Sequence, residues 1–171
     1  MKKIFLFTAI IAAVAIYAFP GPTQAEQLRW YSFNEGLAQA RIQKKPVVLD
    51  FYADWCHWCK VMDRDTFNDK KVAEYLGAHY ILIRINTEDR SKTVLYQGQS
   101  FSNANFFRMV GGTGLPTVVF MDRQGNLITK IPGYIEKGVF LPLLGYIKSE
   151  CYLKQVPFDE SYIQGKNPCT R

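Results

Sequence analysis

The run Val47-Val48-Leu49-Asp50-Phe51-Tyr52-Ala53-Asp54-Trp55-Cys56-His57-Trp58-Cys59-Lys60 constrains this chain more than any other stretch. Its apolar opening reads as a buried strand, and it closes on two cysteines separated by two residues. A strand that delivers a Cys-x-x-Cys pair to the start of a helix is an arrangement for thiol–disulfide exchange. Cys59 follows Cys56 by one helical turn, so the two sulfurs fall on the same side and can join without moving the backbone. The first sulfur sits among the unpaired N–H groups of a helix start, where partial positive charge favours thiolate over thiol. The thiolate is the attacking species. Redox chemistry is the leading expectation.

A chain of 171 residues has room for one domain with a full core and a leader. Met1-Lys2-Lys3 precedes an uncharged apolar run from Ile4 to Phe19. Pro20-Gly21-Pro22 then breaks any helix, and Thr23-Gln24-Ala25 offers a small residue at a cleavage site. This is the layout of a secretory signal peptide over residues 1–25, with Glu26 as the mature start. The alternative is an uncleaved inner-membrane tether, for which the run is slightly short. Residues 26–150 then form the domain and residues 151–171 a C-terminal extension. Either way the folded part is expected in an oxidising, periplasmic setting. The formal net charge is +6, and Lys2 and Lys3 of the leader supply two of these charges. No Lys/Arg stripe interleaves with aromatics, so the excess serves solubility and argues against nucleic acid as a partner.

Ser32-Phe33-Asn34-Glu35 fits a capping box, and the helix it opens stops at Lys44-Lys45-Pro46. Val47 to Tyr52 is the strand leading to the cysteines, followed by a helix from about Cys56 to Thr66. Asn68 or Asp69 caps a short helix, Val72 to Leu76, that closes near Gly77. Tyr80 to Ile85 reads as a strand covered on both faces. Asn86 to Ser102 is polar and reads as a long loop, and Ala104 to Val110 as a short helix. Thr117 to Met121 and Leu127 to Ile131 form a hairpin turned at Asp122-Arg123-Gln124-Gly125-Asn126. The last main helix lies between Glu136 and Ser149, where Pro142 predicts a late start or a kink. Alternating strands and helices followed by a hairpin predict an α/β fold, a mixed central sheet sandwiched by helices.

With the cysteines, the hairpin and the intervening Gly114-Leu115-Pro116-Thr117 in place, the chain resembles the thioredoxin superfamily over roughly Leu28 to Ser149. Its Trp-Cys-x-Trp-Cys-Lys form and longer middle loop are similar to exported thioredoxin-like proteins. The C-terminal domains of membrane thiol:disulfide interchange proteins are one such group. The resemblance implies the thioredoxin fold, with Cys56 as attacking thiol and Cys59 as buried resolving thiol. It places Asp50 as a buried acid beneath the cysteines, able to relay a proton from Cys59. Arg84 matches the position of a family lysine near that acid; its permanent charge pulls the Asp50 pKa down, against the effect of burial. Gly114 to Thr117 matches the family's cis-proline loop, with Leu115 presenting backbone to an extended substrate and Pro116 keeping a competing donor away.

Other residues near the pair carry two readings each. Trp55 and Trp58 are core or rim aromatics, or Trp55 belongs to a docking surface. His57 stabilises the Cys56 thiolate and makes the disulfide more oxidising, or it is an exposed loop histidine with little effect. Cys151 and Cys169 lie beyond the core, and an even cysteine count in an exported chain suggests pairing. A structural bridge is preferred to a redox relay with the active site; a four-cysteine zinc site has the wrong spacing, so no metal is expected. The expected function is an exported thiol:disulfide oxidoreductase acting on protein thiols and disulfides, as a monomer and without an organic cofactor. The resemblance favours a reductant kept reduced by a membrane or periplasmic redox partner. The rivals are a disulfide oxidase or isomerase with the same site, and a copper(I)- or haem-delivery chaperone using the soft thiolates.

Overall fold

In the computed structural model, which describes residues 28–165 and 169, the chain enters through a two-residue edge strand, Trp30–Tyr31 (β1). The leader expected over residues 1–25 lies outside the described residues. Ser32 caps the first helix, Phe33–Gln43 (α1), but its hydroxyl donates to the Glu35 carboxylate at 2.6 Å instead of accepting a backbone N–H. Lys44 ends the helix in the left-handed region at φ 55°. Pro46 then stands immediately before strand Val47–Tyr52 (β2), where its missing N–H costs the ladder nothing.

Helix His57–Met62 (α2) runs directly into a π-helical turn, Asp63–Phe67, so the single expected helix is wound more widely in its second half. Asp69 caps Lys70–His79 (α3) by accepting the N–H groups of Lys71 and Val72 on Oδ1. The expected stop near Gly77 does not occur. That glycine points into open space, so nothing there requires the chain to turn. Strand Ile81–Asn86 (β3) follows.

The supposed loop from Asn86 to Ser102 contains a hairpin, Thr93–Tyr96 (β4) and Gln99–Ser102 (β5). Its two-residue turn puts both Gln97 (φ 50°) and Gly98 (φ 79°) in the left-handed region, the geometry that matches strand twist. Buried Val94 and the rings of Tyr96 and Phe101 fasten the hairpin to Phe33 and Phe106. Helix Asn103–Met109 (α4), strands Thr117–Met121 (β6) and Leu127–Pro132 (β7), and helix Lys137–Lys148 (α5) complete the domain. α5 does not start late; it passes through Pro142 in its second turn, where the lost hydrogen bond lies near the helix start. A 3-10 turn, Cys151–Lys154, and helix Glu160–Ile163 (α6) form the tail.

The five-stranded sheet has the order β1-β3-β2-β6-β7; β1–β3 and β3–β2 pair parallel, and β2–β6 and β6–β7 pair antiparallel, so β6 alone runs against the others. β2 is central, and Val47, Val48, Leu49 and Phe51 are fully buried because helices cover both faces. Each such side chain contributes roughly 1.5–3 kcal/mol of burial free energy. Val47, Leu49 and Phe51 face α1 and α4, while Val48 packs with Met62 of α2 and with the residues of α3 and α5. Strand alternation therefore turns Asp50 toward α2 and its π turn.

Candidate active site

Cys56 occupies the N-cap of α2, in extended backbone at the carboxyl end of the central strand. Its Sγ accepts the backbone N–H of Cys59 at 3.1 Å, which meets one of the helix start's otherwise unpaired donors. Cys56 and Cys59 are joined as a disulfide with 5.3 Å between their Cα atoms. Both are buried, Cys56 at 3% exposure and Cys59 at 6%, in a small cluster with Ala53 against which Tyr52 and Leu115 pack. In the disulfide form Cys56 is thus no more open than Cys59.

Asp50 is 2% exposed and lies opposite Arg84 in the β2–β3 register. Arg84 donates from Nε to Asp50 Oδ2 at 3.0 Å, and its Nη2 lies 2.9 Å from the same oxygen as an ion pair, while Asp50 Oδ1 has no hydrogen-bond partner. Burial pushes the Asp50 carboxyl up to about 6, outweighing the pull of Arg84, and the nearby Asp63 carboxylate adds to the rise. Arg84 also donates through Nη2 to Asp63 Oδ1, so one guanidinium serves two acids. The same guanidinium lies over the rings of Trp30 at 4.3 Å, Tyr52 at 5.0 Å and Phe67 at 5.9 Å. Asp63, Trp30 and Tyr52 were not anticipated as parts of the site. Asp63 follows Cys59 by four residues, a helical spacing from which its shared face was readable.

The surface around the disulfide is aromatic. Trp55 is 67% exposed and Trp58 is 56% exposed, which removes the core reading for both. Trp58 lies against Tyr134, with ring centroids 5.6 Å apart, and against His57 at 5.7 Å. His57 is exposed. The Leu115–Pro116 bond is cis, Pro116 is buried, and Leu115 packs on the cysteine cluster. The structure thus packs Leu115, next to the cis proline, against Cys56 and Cys59, while Arg84 joins Asp50 on the strand before them to Asp63 on the turn after them.

Cys151 and Cys169 are also joined, with Cα atoms 5.8 Å apart and both residues buried. Around them Tyr146 meets Phe158 and Tyr162, and its hydroxyl donates to the Val156 carbonyl at 2.6 Å. Lys44 and Pro46, at the start of β2, line one groove with Ile147, Glu150 and Tyr152, the near neighbours of Cys151. Cys56 follows the other end of that strand. β2 has six residues at roughly 3.3 Å each, a length of about 20 Å, so the two disulfides lie toward opposite ends of that strand. Among the described residues no group of three or more His, Cys, Asp or Glu side chains is placed to hold a metal, and no helix is long and apolar enough to cross a membrane.

A mixed sheet, a Cys-x-x-Cys pair at a helix mouth and a cis-proline loop against the sulfurs define the thioredoxin class. The chain belongs to the thioredoxin-like domain family, whose model matches residues 33–148. It is similar to the thiol:disulfide interchange protein DsbD of Yersinia pestis, with 34% identity over 134 residues that cover 73% of this chain and 21% of that protein. The chain thus spans about a fifth of the length of such curated relatives. Among solved structures, a thioredoxin from Thermus thermophilus matches with TM-score 0.57 and 23% identity, covering 70% of this chain and 86% of that one. The reduced C-terminal domain of Neisseria meningitidis DsbD matches with TM-score 0.50 and 23% identity, covering 66% of this chain and 90% of that one. These two likenesses concern the fold.

Proposed function

We propose that this protein is an exported thiol:disulfide oxidoreductase that reduces disulfides in other proteins through Cys56 and Cys59. The observation that carries the reading is the Cys56 sulfur at the α2 N-cap, bonded to Cys59 and accepting its N–H. In the reduced protein, the Cys56 thiolate attacks a partner disulfide, forming a mixed disulfide and releasing one partner thiolate. Cys59 passes its proton to Asp50 and attacks the Cys56 sulfur. The second partner thiolate leaves, and Cys56–Cys59 closes with two electrons transferred to the partner. A carboxyl that titrates at about 6 can both accept and return that proton near neutral pH.

Leu115 and Pro116 border the sulfurs where an extended segment of the partner would lie, and Trp55, Trp58 and Tyr134 offer it exposed aromatic surface. Arg84 tunes Asp50, and His57 adjoins the pair from the solvent side. No organic cofactor or metal takes part in these steps. Cys151–Cys169 serves as a structural clamp, a role supported by its burial and its distance from the active site. Export is supported by the charged start and apolar run of residues 1–25, and the electrons are supplied by a membrane or periplasmic redox partner to a protein that acts as a monomer.

Equilibration of the active-site pair against a thiol buffer tests direction. A potential near thioredoxin's, about −270 mV, supports the reductase, and one near about −120 mV would make the protein an oxidase. Reduction of a model protein disulfide should be lost in Cys56→Ala; retained activity there would refute the assignment.

A further inference from the structure

We propose that Asp63 is a positioning residue of this site: by engaging the positive charge of Arg84 at the rim, it leaves Asp50 free to carry a proton. The inference rests on the exchange reading above for its purpose, although the cluster itself does not.

Two carboxylates share one cation. Arg84 Nη2 donates to Asp63 and Nε donates to Asp50, and Nη2 also lies within ion-pair distance of Asp50 at 2.9 Å. The two acids differ in what ionisation costs them. The Asp63 side chain is 37% exposed and reaches solvent, whereas that of Asp50 is 2% exposed and one of its oxygens has no partner. Arg84 with ionised Asp63 is already neutral. Adding a carboxylate at Asp50 leaves a net negative charge in the most buried part of the cluster; adding a protonated carboxyl does not. The guanidinium also lies over the rings of Trp30, Tyr52 and Phe67, contacts that favour its position between the two acids.

The other groups facing Asp50 do not alter this balance. Tyr52 on β2 is held neutral by burial, α2 carries the bonded cysteines, and β6 meets Asp50 with Val118. Asp63→Asn keeps the size and the hydrogen-bonding capacity but removes the charge. Arg84 then has a single anionic partner, and Asp50 becomes the group that must supply it.

The test is a titration of the Asp50 carboxyl carbon by NMR in the disulfide form, with no partner protein present. In Asp63→Asn the midpoint should fall by about one pH unit or more, while Asp63→Glu should stay near the parent value. An unchanged or raised midpoint in Asp63→Asn overturns the proposal, as does an equal fall in Asp63→Glu. Asp63→Ser supplies the same reading if the asparagine variant does not fold. Because the titration needs no exchange partner, its failure leaves the oxidoreductase assignment standing, and a failure of that assignment leaves the titration intact.

Discussion

The backbone N–H of Cys59 donates to Sγ of Cys56 across one turn at the mouth of α2, at 3.1 Å. When the disulfide opens, that donor faces a sulfur able to take negative charge, and a charge-assisted hydrogen bond is stronger than a neutral one. The relationship is one-directional: it favours Cys56 as the sulfur that attacks. Expressed in an exporting host, Cys59→Ala should therefore accumulate a mixed disulfide between Cys56 and its partner, which mass spectrometry identifies after non-reducing electrophoresis. Cys56→Ala should accumulate far less; equal trapping by both variants would contradict the assignment.

Asp50 makes stability depend on pH. Its folded carboxyl titrates at about 6 against an ordinary 3.8, so the native state holds the proton more tightly than the unfolded chain. Stability falls as pH rises between those two values and is level above them. About two units correspond to roughly 3 kcal/mol of cost at neutral pH. In the disulfide form, Asp50→Asn should raise the unfolding free energy near pH 7.5 by up to about 3 kcal/mol, and the gain should vanish near pH 4. Urea unfolding at the two pH values measures it, and a gain independent of pH would count against a buried ionised carboxylate.

Gly36 sets how closely α1 approaches the sheet. A Cβ there would meet Ile83 Cγ1 at 2.3 Å and Ile83 Cδ1 at 2.7 Å, with Tyr31 Cβ at 3.2 Å. Helix propensity alone favours alanine by about 1 kcal/mol, but overpacking a fully buried Ile83 costs about 1–3 kcal/mol. Gly36→Ala should destabilise the domain in chemical denaturation. Stabilisation would mean that the helix can slide outward without penalty.

The second disulfide closes a loop with a sequence separation of 18, worth about 3 kcal/mol on the chain-entropy model. Replacing both Cys151 and Cys169 by alanine should lower the unfolding free energy by about that amount and leave the rate of thiol exchange unchanged. A slower exchange rate in a variant that remains folded would assign this pair a redox role after all.

The parts of the fold readable from sequence are those whose local signals agree with their burial. Val47 to Tyr52 is apolar, β-rich and bounded by Pro46, and the strand has those limits. The hairpin from Thr117 to Pro132 is signalled by its turn residues, with Asp122 accepting the N–H groups of Gln124 and Asn126. The hairpin from Thr93 to Ser102 escaped because Gln97 stands where asparagine or glycine would announce a left-handed turn residue, and its strands are polar outside Val94, Leu95, Tyr96 and Phe101. Gly77 misled in the opposite sense, since a glycine on an outward helix face can resemble a stop signal. In the site, Asp50 and Arg84 were legible as neighbours, but the sign of the balance between them was not. Only the burial of Asp50 and the second acid at Asp63 decide it.

The central claim is that the helix mouth makes Cys56 an activated nucleophile. The most direct measurement is the rate of iodoacetamide alkylation of the reduced Cys59→Ala protein as a function of pH, which reports the Cys56 thiolate alone. A midpoint clearly below the ordinary cysteine value of about 8.5 is predicted, with a correspondingly fast reaction at neutral pH. A midpoint at or above about 8.5, with a rate no greater than that of free cysteine, would contradict the account.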